Sequence, residues 1–533
     1  MARRSPYLVR GERYCTDSLS AVRVRIANAV RNRGYYFFRP EYIEYLADSM
    51  IMTGRIALRL TVPTNIPAWS LRQYRVGEVV TRVYRNDGGG TPDTVETAHG
   101  TVIQMRPSRL RRNLIPGCVT FTEGKVFSVR DMNRTQTYLS RLGIFNAINI
   151  DVVPDTVNRN SNLLNVNIDC TFDRPLEAMV EVNASSKSNS YIGPGVSLGV
   201  TSRNIFGGGE QLQVKLTGTY EWQTGHDRRS LFNSYEVGIT GSLSFPRLLA
   251  PKFIPRSRRN LNWTRFTLNA DVLNRPHYFK MAQFNTSVSY DWQSSRYATN
   301  TFTPLKLTYT KLIHTTHDFD SIMNANQAVA QSFKSQFIPQ MAYTYLYDRT
   351  INRDNTINWT FTAQEAGNVF WAIWRACGKD GEKKLFGMPF SQFVKASTQL
   401  VYGRRLGGDN WLVSRVAVGA AHAYGNSSQV PYSEQFWVGG ANSVRAFTVR
   451  SIGPGSYHDY SSRSSDYFDQ TGTFKFEANV EYRFPLYGPL HGAMFLDAGN
   501  VWLLENDPDR PGGKLKASTF LRDLALGTGV GLR

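Results

Sequence analysis

The stretch FKFEANVEYRF, Phe474 to Phe484, decides the fold. Phe474, Phe476, Ala478, Val480, Tyr482 and Phe484 take alternate positions, and Lys475, Glu477, Asn479, Glu481 and Arg483 take the positions between them. Successive side chains of a strand point to opposite sides, so this strand has one apolar face and one polar face. The pattern returns in YEVGITGSLSF (Tyr235 to Phe245) and FNTSVSYDW (Phe284 to Trp292). It recurs in QLQVKLTG, FTLNADVLN, LKLTYT, MAYTYLY, INWTFTA and VKASTQLVY, with turn residues such as FGGGEQ, LGGDN and LYGPLHG between strands. From about residue 174 onward the sequence predicts strands and no helices. Alternation of this kind also suits a large soluble sandwich or barrel with one wet face. Three features favour a barrel in a membrane. Many strands approach the ~9–11 residues that cross a bilayer. Connections alternate between short and long, and Tyr and Trp recur at strand ends where an aromatic girdle lies. A closed barrel also pairs every backbone donor, as hydrocarbon demands.

Residues 1–173 are patterned differently. SLSAVRVRIANAVRNRGYYFF (Ser18 to Phe38) spaces Val22, Ile26 and Val30 as an amphipathic helix, with Gly34 as its expected C-cap. The strands EYIEYLA and RIALRLTV follow. The order repeats later: a helix from about Arg130 to Leu142 stops at Gly143 and leads into FNAINIDVV and LLNVNIDCTF. This is a weak internal duplication of a small α/β unit, with a polar insertion, NDGGGTPDT, in the second copy.

The chain carries 62 basic and 42 acidic residues, a net charge of +20. A solvated surface, an anionic lipid surface and nucleic acid are the partners such a balance allows. No zinc-finger spacing or basic region running into heptads is present, so nucleic acid is not an expected partner. Cys15, Cys118, Cys170 and Cys377 form no CxxC or Cys/His cluster, and one disulfide among them stays open. No hydrophobic run approaches the ~20 residues of a membrane helix. The start, MARRSPYLVRGERY, lacks the apolar core of a signal peptide. No phosphate-cradling G-x-x-x-x-G-K-[ST], no H-E-x-x-H and no Ser/His/Asp arrangement stands out, and Gly207 to Gly209 precede Glu210 rather than a Lys-Ser pair. Catalysis, metals and cofactors are therefore not expected.

Counting strands from Glu177, WLVSRVAVGAAHAY is the eleventh, FKFEANVEYRF the twelfth, GAMFLDAGNVW the thirteenth and LGTGVGLR the start of the fourteenth. The connection from Gly425 to about Gly472 is then an outer loop and the longest. It contains FWVGGANSVRAFTVRSIGPG. Here the chain resembles the BamA/TamA superfamily of outer-membrane assembly barrels, the bacterial surface antigen family. A long loop of that family folds into the barrel and carries a V-R-G-F motif. The matching residues are Val444, Arg445, Ala446 in place of the usual glycine, and Phe447, between Gly439-Gly440 and Gly453-Pro454-Gly455. Glu481, Arg483 and Pro485 match the family's E-x-R-x-P strand. Phe495, Asp497, Gly499 and Trp502 match the strand after it, with one spacing shifted. TSRNIFGGGEQL (Thr201 to Leu212) looks like the first periplasmic turn, and YLSRLGIFNAINIDVVP like the end of a POTRA domain.

The resemblance implies α/β POTRA repeats followed by a membrane-spanning antiparallel β-barrel: a partial POTRA-like domain over 1–68, a POTRA domain over 69–173 and the barrel over 174–533. About 14 of an expected 16 or so strands are present, which reads as a chain lacking its closing strands and export signal. It places the protein in the Gram-negative outer membrane with POTRA domains in the periplasm. Two POTRA-like units fit a TamA-like insertase that receives client strands through the POTRA edges and a laterally opening seam. The alternatives are a two-partner secretion transporter exporting a large adhesin, a passive porin-like channel, and an outer-membrane lipase, which needs a nucleophile and base that are not evident. Expected partners are outer-membrane lipids, unfolded outer-membrane or secreted clients, and a periplasm-spanning protein as a candidate. Parity places Glu481 and Asp497 on inward faces of adjacent strands, where two carboxylates repel each other. Arg445 is expected to hydrogen-bond both through its planar fork and so pin the loop inside the barrel.

Overall fold

A computed structural model describes residues 14–533 except 53, 85–90, 98–99, 107–109, 156–160, 187–190, 224–233, 250–261, 277, 326–329, 331–332, 377–383, 386–387 and 458–469. Cys377 and the NDGGG part of the polar insertion lie outside the described residues. The chain forms two compact units, one of residues 1–177 with 202–211 and one of 178–201 with 212–533.

In the first unit, helix α1 (Thr16–Arg31) buries Leu19, Val22 and Ala27. Ile26 and Val30 pack beside Ala27, Phe38 and Ile43. The helix is capped by Asn32, two residues before the expected Gly34. Gly34 instead lies under the next segment, its carbonyl accepting from the Tyr74 amide at 2.8 Å. Strands β1 (Glu44–Met52) and β2 (Arg55–Thr61) form an antiparallel hairpin. A second module follows with β3 (Arg75–Tyr84), β4 (Thr91–Thr97), β5 (Gly100–Arg106), helix α2 (Val129–Arg141), β6 (Phe145–Pro154) and β7 (Leu163–Phe172). Its sheet order is β4-β5-β3-β7-β6, with β3 parallel to both β5 and β7. Strand β4 takes in Thr91 to Thr94, the end of the stretch read as a polar insertion: paired to β5, it forms an edge hairpin in place of a loop. Val76, Val79, Val83, Leu164, Val166 and Ile168 pack with Phe121, Phe127 and Leu139 in the core. Cys118 and Cys170 are free thiols in that core. Burial pushes the Cys118 and Cys170 thiols up to about 12. The turn at residues 204–210, between the second and third strands of the barrel sheet, also belongs to this unit. There Glu210 is buried, accepts from the Gly208 amide at 2.7 Å, and lies 3.4 Å from the Arg111 guanidinium.

The second unit is a 14-stranded antiparallel meander. Its strands are β8 (Leu176–Ser186), β9 (Tyr191–Arg203), β10 (Gln211–Gln223), β11 (Ser234–Phe245), β12 (Asn262–Arg275), β13 (Phe279–Ser295), β14 (Ala298–Thr315), β15 (Gln336–Asn352) and β16 (Asn355–Ala366). A small ribbon, β17 (Lys384–Leu385) and β18 (Met388–Pro389), interrupts the series. Then come β19 (Phe393–Gly407), β20 (Asn410–Ala423), β21 (Phe474–Tyr487), β22 (Leu490–Trp502) and β23 (Ala525–Leu532). Neighbours in sequence are neighbours in the sheet, from β8 at one end to β23 at the other.

Burial in this sheet is inverted relative to a water-soluble sheet. In β21, Val480 is 42% exposed and Tyr482 37%, while Glu477 is 0% and Glu481 6% exposed. Leu268, Val416, Met494 and Leu496 are likewise exposed. Apolar faces turned outward with carboxylates enclosed mark a barrel whose outer solvent is lipid and whose lumen is polar. Among the described residues no helix is long and apolar enough to cross a membrane, so the crossing elements are strands. Among the described residues two short α-helices do occur beyond residue 174, contrary to the sequence expectation: α3 (His317–Ala325) and α4 (Asn368–Ala376), each in a long connection. A nine-residue helix spans little more than two turns, too few for its period to stand out against flanking strands.

Candidate functional site

The long connection between β20 and β21 turns back along the inner wall. Phe436 and Gly472 exchange backbone hydrogen bonds at 2.9 Å and close the base of the loop. Above that base Val438, Val444 and Ile452 bury themselves against Val501 of β22, with Phe436 and Ala525 beside them. The turn is shaped by Gly439, whose φ of +106° and contact with the Thr448 carbonyl leave no room for a side chain; a Cβ would meet that oxygen at 2.1 Å. The Gly439 amide donates to Ser443 Oγ at 3.0 Å, and the Gly440 amide to the Phe447 carbonyl at 2.8 Å. Gly453 passes equally close to β22, where a Cβ would fall 2.4 Å from Asn500 Oδ1. Pro454 follows it, and Gly455 donates to the Val501 carbonyl at 2.7 Å. Ala446 takes its extra methyl without displacement because it faces Gly527 of β23; a Cβ on Gly527 would lie 3.0 Å from the Ala446 Cβ. Of the motif residues, Val444 is fully buried and Phe447 remains exposed.

Arg445 projects from this turn onto β21 and β22. Its backbone amide and Nε donate to Asp497 Oδ2 at 3.0 and 2.8 Å, and Nη2 donates to Asp497 Oδ1 at 2.7 Å. Nη1 donates to Glu481 Oε2. The structure thus brings Arg445, Glu481 and Asp497 together, with the fork shared between two carboxylates. The guanidinium carbon stands 3.6 Å from the centre of the Phe495 ring, the residue paired with Glu481 across the two strands. A cation over a ring face gains further attraction where water is excluded. Glu481 also accepts from Arg483 Nε at 2.7 Å and from Arg533 Nε and Nη2 at 3.0 and 2.8 Å. Two carboxylates therefore meet three guanidiniums, one of them from Arg533, the residue after β23 (Ala525–Leu532).

A second cluster sits beside the first, and its members were not expected to take part in holding the loop. Glu477 is fully buried. Arg415 of β20 donates to it through Nη2 at 2.7 Å, Lys475 Nζ stands 3.1 Å away, and Ser443 of the loop donates its hydroxyl to the other carboxylate oxygen. Arg415 also donates to Gln399 Oε1 at 3.0 Å and to the loop carbonyl of Asn442 at 2.6 Å. Asn479 joins the clusters: its Nδ2 donates to Asp497 Oδ1 at 2.8 Å and to the Ser443 carbonyl at 2.9 Å, while Oδ1 accepts from Arg415. One polar band thus runs across β19 to β23 and grips the loop at Asn442, Ser443 and Arg445. The alternation of FKFEANVEYRF placed Glu477 and Asn479 on the wet face. Arg415 could be added only from strand register, since it pairs opposite Asn479.

Comparison with known proteins places this arrangement. The family described as the Omp85 superfamily domain matches residues 204–533. Over 130 residues the chain is 29% identical to outer membrane protein assembly factor BamA of Neisseria meningitidis serogroup B, a stretch covering 21% of this chain and 16% of that protein. Its fold resembles the crystal structure of BamA from Haemophilus ducreyi lacking POTRA domains 1–3, with a TM-score of 0.52 at 13% identity, covering 98% of this chain and 88% of the other. CdiB from Acinetobacter baumannii aligns with a TM-score of 0.46 at 12% identity, over 100% of this chain and 78% of that one.

Proposed function

The chain belongs to the Omp85 superfamily, and from that premise we propose that it is an assembly or translocation factor that passes client β-strands into or across the outer membrane. It is an outer-membrane barrel with its α/β modules on the periplasmic side. The observation that carries the reading is the long outer loop folded onto the inner wall and held by buried ion pairs. A passive pore has no use for an obstruction that costs two desolvated carboxylates.

In this reading Arg445, Glu481 and Asp497 lock the loop, and Gly439, Gly440, Val444, Phe447, Gly453 and Pro454 shape it for the lock. The locked wall, β19 to β23, stays rigid while the other end of the sheet gives way. Strand β8 lies at the end of the sheet opposite the locked wall. An edge strand with little packing offers its backbone to an incoming strand, which then enters lipid already hydrogen-bonded. The modules at 1–68 and 69–173 would deliver clients as extended segments added to their sheet edges.

Depletion of the full-length protein followed by a survey of outer-membrane and secreted proteins tests the proposal. Loss of several outer-membrane barrels is the expected result for a TamA-like or BamA-like factor. Loss of a single large secreted adhesin would move the assignment to a two-partner secretion transporter. An unchanged protein profile with steady ion conductance would make it a channel.

A further inference from the structure

The helices α3 and α4 occupy comparable outer connections but present opposite faces. Helix α3 exposes His317, Asp318, Ser321 and Asn324 and turns Phe319 inward, 4.9 Å from the Phe279 ring and 5.1 Å from Phe333. That is the pattern of a helix in water. Helix α4 exposes Val369, Ala372, Ile373 and Ala376, while Phe370, Trp371 and Trp374 sit partly covered on its other side. Val369 is 47% and Ile373 56% exposed. At 100° per residue these four positions form one stripe with no polar group in it.

Strand lengths set the two helices at different heights. Strand β16 leaves a two-residue turn, Arg353-Asp354, and runs for 12 residues. At about 3.3 Å per residue and a tilt of about 40° it climbs about 30 Å, the thickness of the hydrocarbon layer. Helix α4 starts two residues later, at the outer interface. Strand β14 runs for 18 residues and begins opposite the position of Trp359 rather than at the start of β16, so α3 stands higher than α4, clear of the lipid. Below the helix the strands present apolar side chains to the same outer face: Trp359 on β16 and Leu400 and Val394 on β19 are exposed there, with Glu365, paired to Val394, as the one carboxylate at the top of that face. Arg375, at the edge of the stripe, lies 5.4 Å over the Trp371 ring. Trp and Arg together are the side chains that settle at a headgroup boundary.

We propose that α4 lies in the outer leaflet of the membrane, with the Val369, Ala372, Ile373 and Ala376 stripe in lipid hydrocarbon and Arg375 at the level of the lipid phosphates. The proposal rests on the membrane-barrel reading, and the test keeps the two apart. Nitroxide labels are placed at Ile373→Cys, Ser321→Cys and Leu400→Cys in the full chain with Cys15 and Cys377 changed to Ser. The protein is reconstituted in phosphatidylethanolamine and phosphatidylglycerol vesicles, and accessibility to oxygen is compared with accessibility to a water-soluble nickel chelate. The expected oxygen-to-nickel ratio at Ile373 is severalfold above that at Ser321 and close to that at Leu400. An aqueous ratio at Ile373 with a lipid ratio at Leu400 overturns the proposal alone. Shielding of Ile373 from both reagents also overturns it, since protein rather than lipid would cover the stripe. An aqueous ratio at Leu400 overturns the barrel reading itself. Should Ile373→Cys fail to fold, Val369→Cys carries the same measurement.

Discussion

The two ends of the barrel sheet are built on different physics. Around β21 and β22 the carboxylates of Glu477 and Asp497 are fully buried, and each is met by an arginine within hydrogen-bond distance. Along β8 the residues from Leu176 to Ser185 are exposed, and its ion pairs, Lys215 with Glu181 at 3.2 Å and Arg203 with Glu177 at 2.6 Å, use carboxylates that are 47% and 55% exposed. A buried charge that loses its partner is left stranded, whereas an exposed one is taken up by water. Equal numbers of contacts therefore carry unequal weight. The sheet is predicted to be hard to disturb where the loop docks and easy to disturb where the first strand sits.

The sharpest test is Arg445→Ala. It leaves Asp497 buried with Asn479 as its remaining side-chain donor, and the expected loss is about 3–5 kcal/mol. The loop of the variant should become cleavable by added protease in intact cells, and assembly of outer-membrane barrels should fall. A loop as protected as in the wild type would break the comparison at its strong end. Arg445→Lys should recover only part of the protection, because an ammonium cannot reach Glu481 and both Asp497 oxygens in one plane.

Arg415→Ala comes next. Glu477 keeps Lys475 and the Ser443 hydroxyl, so the expected loss is smaller, about 1.5–3 kcal/mol. The two arginines act on one loop through Asn479, and a double-mutant cycle should show coupling of about 0.5–3 kcal/mol. Strict additivity in thermal melts would mean that the two clusters hold the loop independently. Gly439→Ala follows, at about 1–3 kcal/mol, because the positive φ and the nearby Thr448 carbonyl both oppose a side chain. Its signature is partial loop release with the ion pairs still present.

What could be read from the sequence divides along the same line. Strand β21 was legible because lipid on one side and water on the other impose a two-residue period that few other environments produce. Parity alone set Glu481 and Asp497 on the inner face. The grip of Arg415 on Glu477 was not legible, because it depends on β20 meeting β21 in one register, and register is a long-range property. Phe495 was matched to a motif, but its role as the surface under the guanidinium depends on Arg445 descending to it. In the α/β module the parallel pairing of β3 with β5 and β7 joins segments far apart in sequence, and Thr91-Pro92-Asp93-Thr94 carries turn residues that pairing with β5 overrides. Helix α4 was hidden because its apolar face and the apolar faces of the neighbouring strands share the same solvent.

The smallest effect is expected at the weak end. Lys215→Ala or Glu181→Ala removes an exposed pair, and such pairs are worth about 0–1 kcal/mol. The melting temperature and loop protection should stay at wild-type values, even though β8 and β10 flank the strand that begins the sheet's first periplasmic turn. A loss at Lys215 as large as that from Arg415→Ala would show that β8 is held as firmly as β21. The seam would then have to open elsewhere, or the barrel would not open sideways at all. An unchanged melt would sharpen the contrast. The first strand would then be weakly held because its work requires it to separate, and the polar band on the far wall would supply the rigidity against which it moves.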